Sequence, residues 1–289
     1  MEHKRSFLIL IGGAEDKTGN KEVLKKVMEI SGAKTITIVP SASSYPDEVF
    51  RGYEHAFRDL GASNIFNLDI RYADEAGREE FAAMIDKSEL IFFGGGDQVK
   101  LVEIFSGTPL LEKIKERFYN GTLCLAGTSA GAAAASNPML YDGDYKGFHK
   151  GSVNSSNGFG FLEDITVDTH FLNRERISRL VQYLSAGNSS KGIGLDEDTA
   201  IVISPDLQFE VIGSGMVTLI NTDRVTFSNY KEVEQTQMYS VNNLRMSFFA
   251  AGTVFSLKRW VVLKNAEIKK KDSGESSVNY FPSSFVYNN

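Results

Sequence analysis

Cysteine is almost absent from this sequence of 289 residues, in which Cys124 stands alone. A single cysteine excludes an intramolecular disulfide and a cysteine-rich metal site. We expect Cys124 to be a small buried residue within a strand. No cluster of metal-ligating residues is visible along the rest of the chain either, so we expect neither a metal nor another cofactor.

An excess of basic residues and long apolar runs are also missing. The 37 acidic residues outnumber the 31 Lys and Arg, and the formal net charge of -6 argues against binding to nucleic acid or to anionic membranes. The apolar run at residues 7–11 is too short for a signal peptide, and Glu15 and Asp16 follow it closely. We interpret residues 7–11 as a first strand and expect a cytoplasmic protein.

The first half of the chain alternates regularly between apolar strand patterns and amphipathic helix patterns. This alternation predicts an α/β fold with three αβα layers and a mostly parallel central sheet. Extra antiparallel strands are predicted in the C-terminal half, for example at residues 200–203, 209–212 and 216–220. No linker divides the chain, so we expect one domain over residues 1–264 and a polar tail over residues 265–289.

The stretch "LCLAGTSAGAAAAS" at residues 123–136 contains the pattern G-x-S-x-G, formed by Gly127, Ser129 and Gly131. In a nucleophile elbow this pattern places a serine on a sharp turn between a strand and a helix. The glycines tolerate the unusual backbone angles and the close approach that such a turn requires. Ser129 is therefore the candidate nucleophile, and a glycine-rich turn without chemistry is the alternative.

A serine nucleophile needs a base, and the chain has four histidines. His170 follows a predicted strand at residues 165–168, at the sheet edge where ligands bind in parallel sheets, and is the favoured base. A histidine packed at a strand end is the alternative for it. His149 lies in a loop and stays possible, His55 is expected to be solvated or at the core edge, and His3 lies in a basic leader.

The base in turn needs an acceptor, which we seek in "GIGLDEDTAIVI" at residues 192–203. A strand over residues 193–201 would place Glu197 on an apolar face, where a lone carboxylate is costly unless it is paired. A solvated acidic turn is the alternative, and it fits Asp196 and Asp198 better. The order Ser, His, Glu differs from the orders in α/β-hydrolases, chymotrypsin-like enzymes and subtilisins, so an ordinary lipase or esterase is not predicted.

An acyl-transfer site also needs an oxyanion hole, in which backbone N–H groups face the developing negative charge. Ala130 follows the candidate nucleophile and is one natural donor. The stretch "FFGGGDQVK" offers Gly95 or Gly96 as another. A phosphate-binding loop is the competing interpretation, but neither G-x-G-x-x-G nor a Walker motif is present.

Arginines cluster in "FLNRERISRL" at residues 171–180. Asn173 resembles a helix N-cap, which would place Arg174 and Arg176 in the first turn and Arg179 on the same face as Arg176. Cations are disfavoured at a helix N-terminus. Their presence there suggests that guanidinium groups recognise a carboxylate, while pairing with Glu175 and solvent is the alternative.

Five separate motifs together resemble the cyanophycinases, which are serine peptidases related to dipeptidase E. The motifs are "IGGAEDK" (11–17), "FFGGGDQ" (92–98), "GTSAGA" (127–132), "DTHFLNRERISRL" (168–180) and "GIGLDEDTA" (192–200), with a fainter echo at 244–258. The resemblance implies a class I glutamine amidotransferase-like fold, a homodimer and a triad of Ser129, His170 and Glu197. Residues 15–17 could either shape the site or only hold their loop.

The resemblance also implies a substrate. The family hydrolyses cyanophycin, a poly-L-aspartate whose β-carboxyls carry arginine, to β-Asp-Arg dipeptides; a β-aspartyl peptide is the same substrate class. The positions that match substrate-binding residues of the family are Gln98, Asp168, Thr169, Arg174, Arg176 and Arg179. The family usually has Gln where Thr169 stands, so one hydrogen bond to substrate would be lost or mediated by water. An α-aspartyl dipeptidase acting on short Asp-X peptides and a non-catalytic binding protein are the alternatives.

Overall fold

The computed structural model describes residues 6–143 and 147–267. The helices are α1 (Glu22–Ser31), α2 (Pro46–Asp59), α3 (Glu79–Lys87), α4 (Gln98–Phe105), α5 (Pro109–Tyr119), α6 (Ala130–Ala135) and α7 (Ile177–Ser185), with a 3₁₀ turn at Ala73–Gly77. The strands are β1 (Leu8–Ile11), β2 (Thr35–Val39), β3 (Asn64–Asn67), β4 (Leu90–Phe93), β5 (Cys124–Thr128), β6 (Ser136–Asn137), β7 (Met139–Gly143), β8 (Val153–Ser156), β9 (Leu162–Glu163), β10 (Thr166–Thr169), β11 (Lys191–Leu195), β12 (Thr199–Ile203), β13 (Gln208–Gly213), β14 (Val217–Asn221), β15 (Phe227–Ser228), β16 (Val241–Asn242), β17 (Arg245–Phe249), β18 (Val254–Ser256) and β19 (Val261–Lys264). His3 and residues 268–289 of the predicted tail lie outside the described residues.

A nine-stranded sheet runs through the molecule in the order β19-β18-β13-β12-β1-β5-β4-β2-β3. It is parallel from β3 to β1 and antiparallel from β1 to β19. The strands of the first half therefore pair as the alternating pattern predicted, and the antiparallel strands come from the C-terminal half. The predicted α/β architecture is confirmed.

The central sheet is covered on both faces, which explains why its strands have almost continuous apolar sequences. In β1, Leu8 and Leu10 pack into one buried cluster, whereas Ile9 and Ile11 pack into another on the opposite face. Cys124 is buried in β5, as expected. No helix within residues 6–143 and 147–267 is long and apolar enough to cross a bilayer.

A second sheet has four strands in the order β10-β11-β14-β17. The prediction of one strand over residues 193–201 is wrong. β11 ends at Leu195 in the small sheet and β12 begins at Thr199 in the large sheet, so the chain must turn between them. Alternation along a single strand therefore does not set the direction of Glu197.

Candidate active site

The G-x-S-x-G pattern forms the strand-turn-helix that it predicted. β5 ends at Thr128, Ser129 has φ 50° and ψ −109°, and α6 begins at Ala130. A Cβ on Gly127 would lie 2.5 Å from the carbonyl carbon of Gly131, and a Cβ on Gly131 would lie 2.7 Å from the Cβ of Phe93. Both glycines are thus required because the helix packs directly against the strands.

Ser129, His170 and Glu197 form a continuous chain of hydrogen bonds. The Oγ of Ser129 lies 2.9 Å from Nε2 of His170, and Nδ1 of His170 lies 2.7 Å from Oε1 of Glu197. A carboxylate accepts the Nδ1 proton, which leaves Nε2 as an acceptor for the serine hydroxyl. This arrangement matches the geometry of a nucleophile, a base and an orienting acid.

The imidazole of His170 is almost completely buried, with 7% of the residue exposed. Burial is the largest influence on its pKa and lowers it, and the charges of Arg174 and Arg176 act in the same direction. The hydrogen bond to Glu197 and its charge oppose this shift. Because the net direction is downward from 6.5, His170 is neutral at pH 7 and can accept a proton from Ser129.

Asn173 and Asp196 hold the turn that contains Glu197, although the sequence patterns predicted other roles for them. Asn173 is not a helix N-cap, since α7 begins only at Ile177; its Oδ1 accepts the backbone N–H of Glu197 at 3.0 Å. Asp196 is not in a solvated turn, since it is 7% exposed and accepts the backbone N–H groups of Leu172 and Met216.

The loop after β4 borders Ser129 from the side. A Cβ on Gly95 would lie 3.4 Å from the Cβ of Ser129 and 3.9 Å from its Oγ. In the described part of the chain, no backbone hydrogen bond uses the amides of Gly95 or Gly96, whereas the neighbouring amides of Gly94 and Asp97 donate to carbonyls. Ala130 is the first residue of α6, so its N–H has no partner within the helix. These three amides are suited to bind an oxyanion.

The arginine cluster divides into an exposed part and a buried part. Arg179 and Asp168 are 3% and 1% exposed and are joined by a bidentate ion pair, with Nε 2.9 Å from Oδ2. Arg176 donates to the carbonyl of Thr169 at 2.6 Å and approaches Asp168 at 3.4 Å. Arg174 is exposed in the turn before α7.

The remaining predicted residues take these positions: Thr169 is buried at the end of β10, and Gln98 donates to the carbonyl of Leu140 at 3.0 Å. Neither alternative histidine among the described residues competes with His170. His55 is exposed on α2 beside Asp59, at 3.6 Å, and His149 is exposed in its loop. Within the described ranges no three His, Cys, Asp or Glu side chains are grouped to hold a metal ion.

Comparison with known proteins points to one peptidase family. The model of peptidase family S51 matches residues 8–211. A cyanophycinase from Geminocystis herdmanii is 34% identical over 260 residues, which cover 89% of this chain and 96% of the relative. A cyanophycinase from Trichormus variabilis is 35% identical over 262 residues, covering 90% and 88%.

A solved structure of a peptidase from an acI-B1 Actinobacterium superposes with a TM-score of 0.65 and 25% identity, covering 88% of this chain and 98% of the other. The fold and these matches define a serine-type peptidase with a glutamine amidotransferase-like architecture. The chain belongs to peptidase family S51.

Proposed function

We propose that this peptidase hydrolyses cyanophycin to β-Asp-Arg dipeptides, with Ser129 as nucleophile, His170 as general base and Glu197 as the acid that orients it. The observation that carries the proposal is the hydrogen-bonded chain from Ser129 through His170 to Glu197 at 2.9 Å and 2.7 Å. The substrate comes from the similarity to cyanophycinases over about nine tenths of the chain.

In this mechanism Nε2 of His170 removes the hydroxyl proton of Ser129 as Oγ bonds to the main-chain carbonyl carbon that follows a β-linked Asp-Arg unit. The amides of Ala130 and of Gly95 or Gly96 bind the oxyanion. His170 then returns the proton to the leaving amine as the C–N bond breaks. Water, activated by the same imidazole, releases the acyl group from Ser129 and restores the free enzyme.

Recognition of the substrate is proposed to involve Gln98, Asp168, Thr169, Arg174, Arg176 and Arg179. Arg174 is the exposed guanidinium of this group and is suited to bind a substrate carboxylate. Arg179 and Asp168 already satisfy each other in a buried pair. Their contribution is therefore to position the end of β10 and the turn that follows it.

The test is dipeptide release from cyanophycin, followed by mass spectrometry, with wild type and Ser129→Ala. We expect kcat to fall on the order of 10⁶-fold in Ser129→Ala. Ser63→Ala, an exposed serine before β3, is the matched control and should keep full activity. Equal release by wild type and Ser129→Ala would refute the mechanism. Cleavage of short Asp-X peptides without cleavage of the polymer would instead favour an α-aspartyl dipeptidase.

We also propose a domain division, an oligomeric state and a location for the enzyme. Residues 1–264 are assigned to one peptidase domain and residues 265–289 to a polar tail, of which residues 268–289 lie outside the described part. We propose a homodimer located in the cytoplasm, without nucleic-acid or membrane partners. Light scattering after size-exclusion chromatography tests the dimer, since a mass near one chain would refute it.

A further inference from the structure

The backbone carbonyls of residues 11–13, at the end of β1, accept hydrogen bonds from Ser129, from His170 and from the residue next to Glu197. The carbonyl of Ile11 accepts the N–H of Ser129 at 3.0 Å, and the carbonyl of Gly12 accepts the N–H of His170 at 2.8 Å. The carbonyl of Gly13 accepts the N–H of Asp198, the residue after Glu197, at 2.9 Å. Three consecutive carbonyls therefore fix the three places from which the site is built.

The side chain of Glu15 ties this segment to the nucleophile elbow. Its carboxylate is buried, with 2% of the residue exposed. Oε2 accepts the hydroxyl of Thr128, the residue before Ser129, at 2.7 Å, and Oε1 accepts the hydroxyl of Tyr53 on α2 at 2.5 Å. Nothing in the proposed chemistry uses this carboxylate, although burial of such a group is costly unless its oxygens are hydrogen-bonded.

The two hydroxyl groups are stable donors to Glu15. Tyr53 is itself buried, and its burial together with the charge of Glu15 raises the pKa of its phenol well above 10. The phenol therefore keeps its proton at pH 7 and donates a hydrogen bond to Glu15. A hydrogen bond to a charged group of this kind is stronger than one between neutral groups.

We propose that Glu15 is a positioning residue, which holds the backbone carbonyls of residues 11–13 in register with Ser129 through its hydrogen bond to Thr128. The assignment rests on the proposed function, because it concerns the alignment of that triad. A displacement of about 1 Å of a reacting group can reduce the rate on the order of 10²-fold. The hydrogen bond between Glu15 and Thr128 adds to the backbone hydrogen bonds of residues 11–13 and resists such a displacement.

The first test removes this contact in Thr128→Val, which keeps the shape of the side chain but not its hydroxyl. We expect kcat to fall by about 10- to 100-fold with little change in KM. Thr128→Ser retains the hydroxyl and should restore kcat to within about threefold of wild type. Thr37→Val is the matched control, because Thr37 is a buried strand threonine whose hydroxyl bonds Ser88 at 2.6 Å, away from the site.

A second readout follows the nucleophile itself. The rate at which a fluorophosphonate ester labels Ser129 should fall in Thr128→Val and in Glu15→Gln, and it should stay unchanged in Thr37→Val. If Glu15 acts through the hydroxyl of Thr128, the double variant Glu15→Gln/Thr128→Val should lose less than the product of the two single losses.

The outcomes separate this role from the proposed function. If wild type is labelled at Ser129 but leaves cyanophycin intact, the substrate proposal fails while the labelling rates still test Glu15. Labelling rates and kcat of Thr128→Val that equal those of wild type would overturn the positioning role. An equal loss of kcat in Thr128→Val and Thr37→Val would overturn it too, since a general loss of stability would then explain both. If wild-type Ser129 is not labelled, the triad and the role of Glu15 fail together.

Discussion

Gly13 is the position at which one added methyl group should displace the catalytic base and lower kcat sharply. Its φ is +105°, and a Cβ built there would lie 2.5 Å from Nε2 of His170 and 3.1 Å from Nδ1. The imidazole is held on both sides, by Ser129 and by Glu197. An alanine at residue 13 can therefore be accommodated only if the ring leaves the position from which it reaches the serine hydroxyl.

Two separate effects of Gly13→Ala can be estimated. The left-handed backbone costs a residue with a Cβ about 1–2 kcal/mol of folding free energy. Displacement of the imidazole removes general-base catalysis, which contributes about 10²- to 10⁴-fold to the rate. Gly32→Ala isolates the first effect, because Gly32 ends α1 with φ +59° and a Cβ there would meet nothing within 4 Å.

The assay measures kcat for dipeptide release together with the free energy of unfolding in urea, at a temperature where both variants are folded. We expect Gly13→Ala to lose at least as much stability as Gly32→Ala, because its Cβ also meets the His170 ring, but a loss of kcat by about 10²-fold or more only in Gly13→Ala. If Gly13→Ala keeps more than half of the wild-type kcat, or Gly32→Ala loses as much, steric displacement of His170 is not the cause.

Three further variants probe the charges around the site. Arg174→Gln removes a cation that lowers the pKa of His170. Because the imidazole is then protonated more easily, the acid limb of the profile of kcat/KM against pH should move to higher pH. An acid limb that stays in place or moves to lower pH would contradict this. Glu197→Gln keeps the ring in place but replaces the charged acceptor by an amide, whose NH2 can donate to Nδ1 and favour the wrong tautomer of His170, so kcat should fall by about 10⁴-fold. A loss below tenfold would show that Glu197 does not orient the base. Arg179→Met removes the bidentate partner of the buried Asp168 and leaves only Arg176 near it, at 3.4 Å. The free energy of unfolding in urea should therefore fall, by at most about 3–5 kcal/mol, and unchanged stability would show that the pair is not needed for folding.

The arrangement of the central sheet was predictable because its strands are buried on both faces. A strand such as β1 is buried on both faces and has apolar residues at every position. In the sequence it therefore appears as a short, continuous apolar run, which differs from the amphipathic pattern of a helix. The nucleophile elbow was predictable for a related reason. Gly127 and Gly131 are required by contacts within residues 127–131 and with a neighbouring strand, so a local pattern carries the information.

The turn between β11 and β12 that contains Glu197 was not predictable in the same way, although Oε1 of Glu197 lies 2.7 Å from Nδ1 of His170. Local alternation suggested one strand, whereas β11 and β12 belong to different sheets. Which sheet a strand joins depends on pairing with residues far away, such as β14 for β11 and β1 for β12. The same limit applies to Arg179, since its partner Asp168 is set by the fold and not by spacing along a helix.

The turn between β11 and β12 also explains the order in which Ser129, His170 and Glu197 follow one another along the chain. Ser129 follows a strand of the large sheet, His170 follows a strand of the small sheet, and Glu197 lies where the chain passes from the small sheet back to the large one. The imidazole must lie between the hydroxyl and the carboxylate. Because β10 and β11 are parallel neighbours, both residues emerge at the same end of the small sheet, and β12 then returns beside β1. This path gives the chain order Ser, His, Glu, whereas an α/β-hydrolase with the same kind of elbow has the order Ser, Asp or Glu, His.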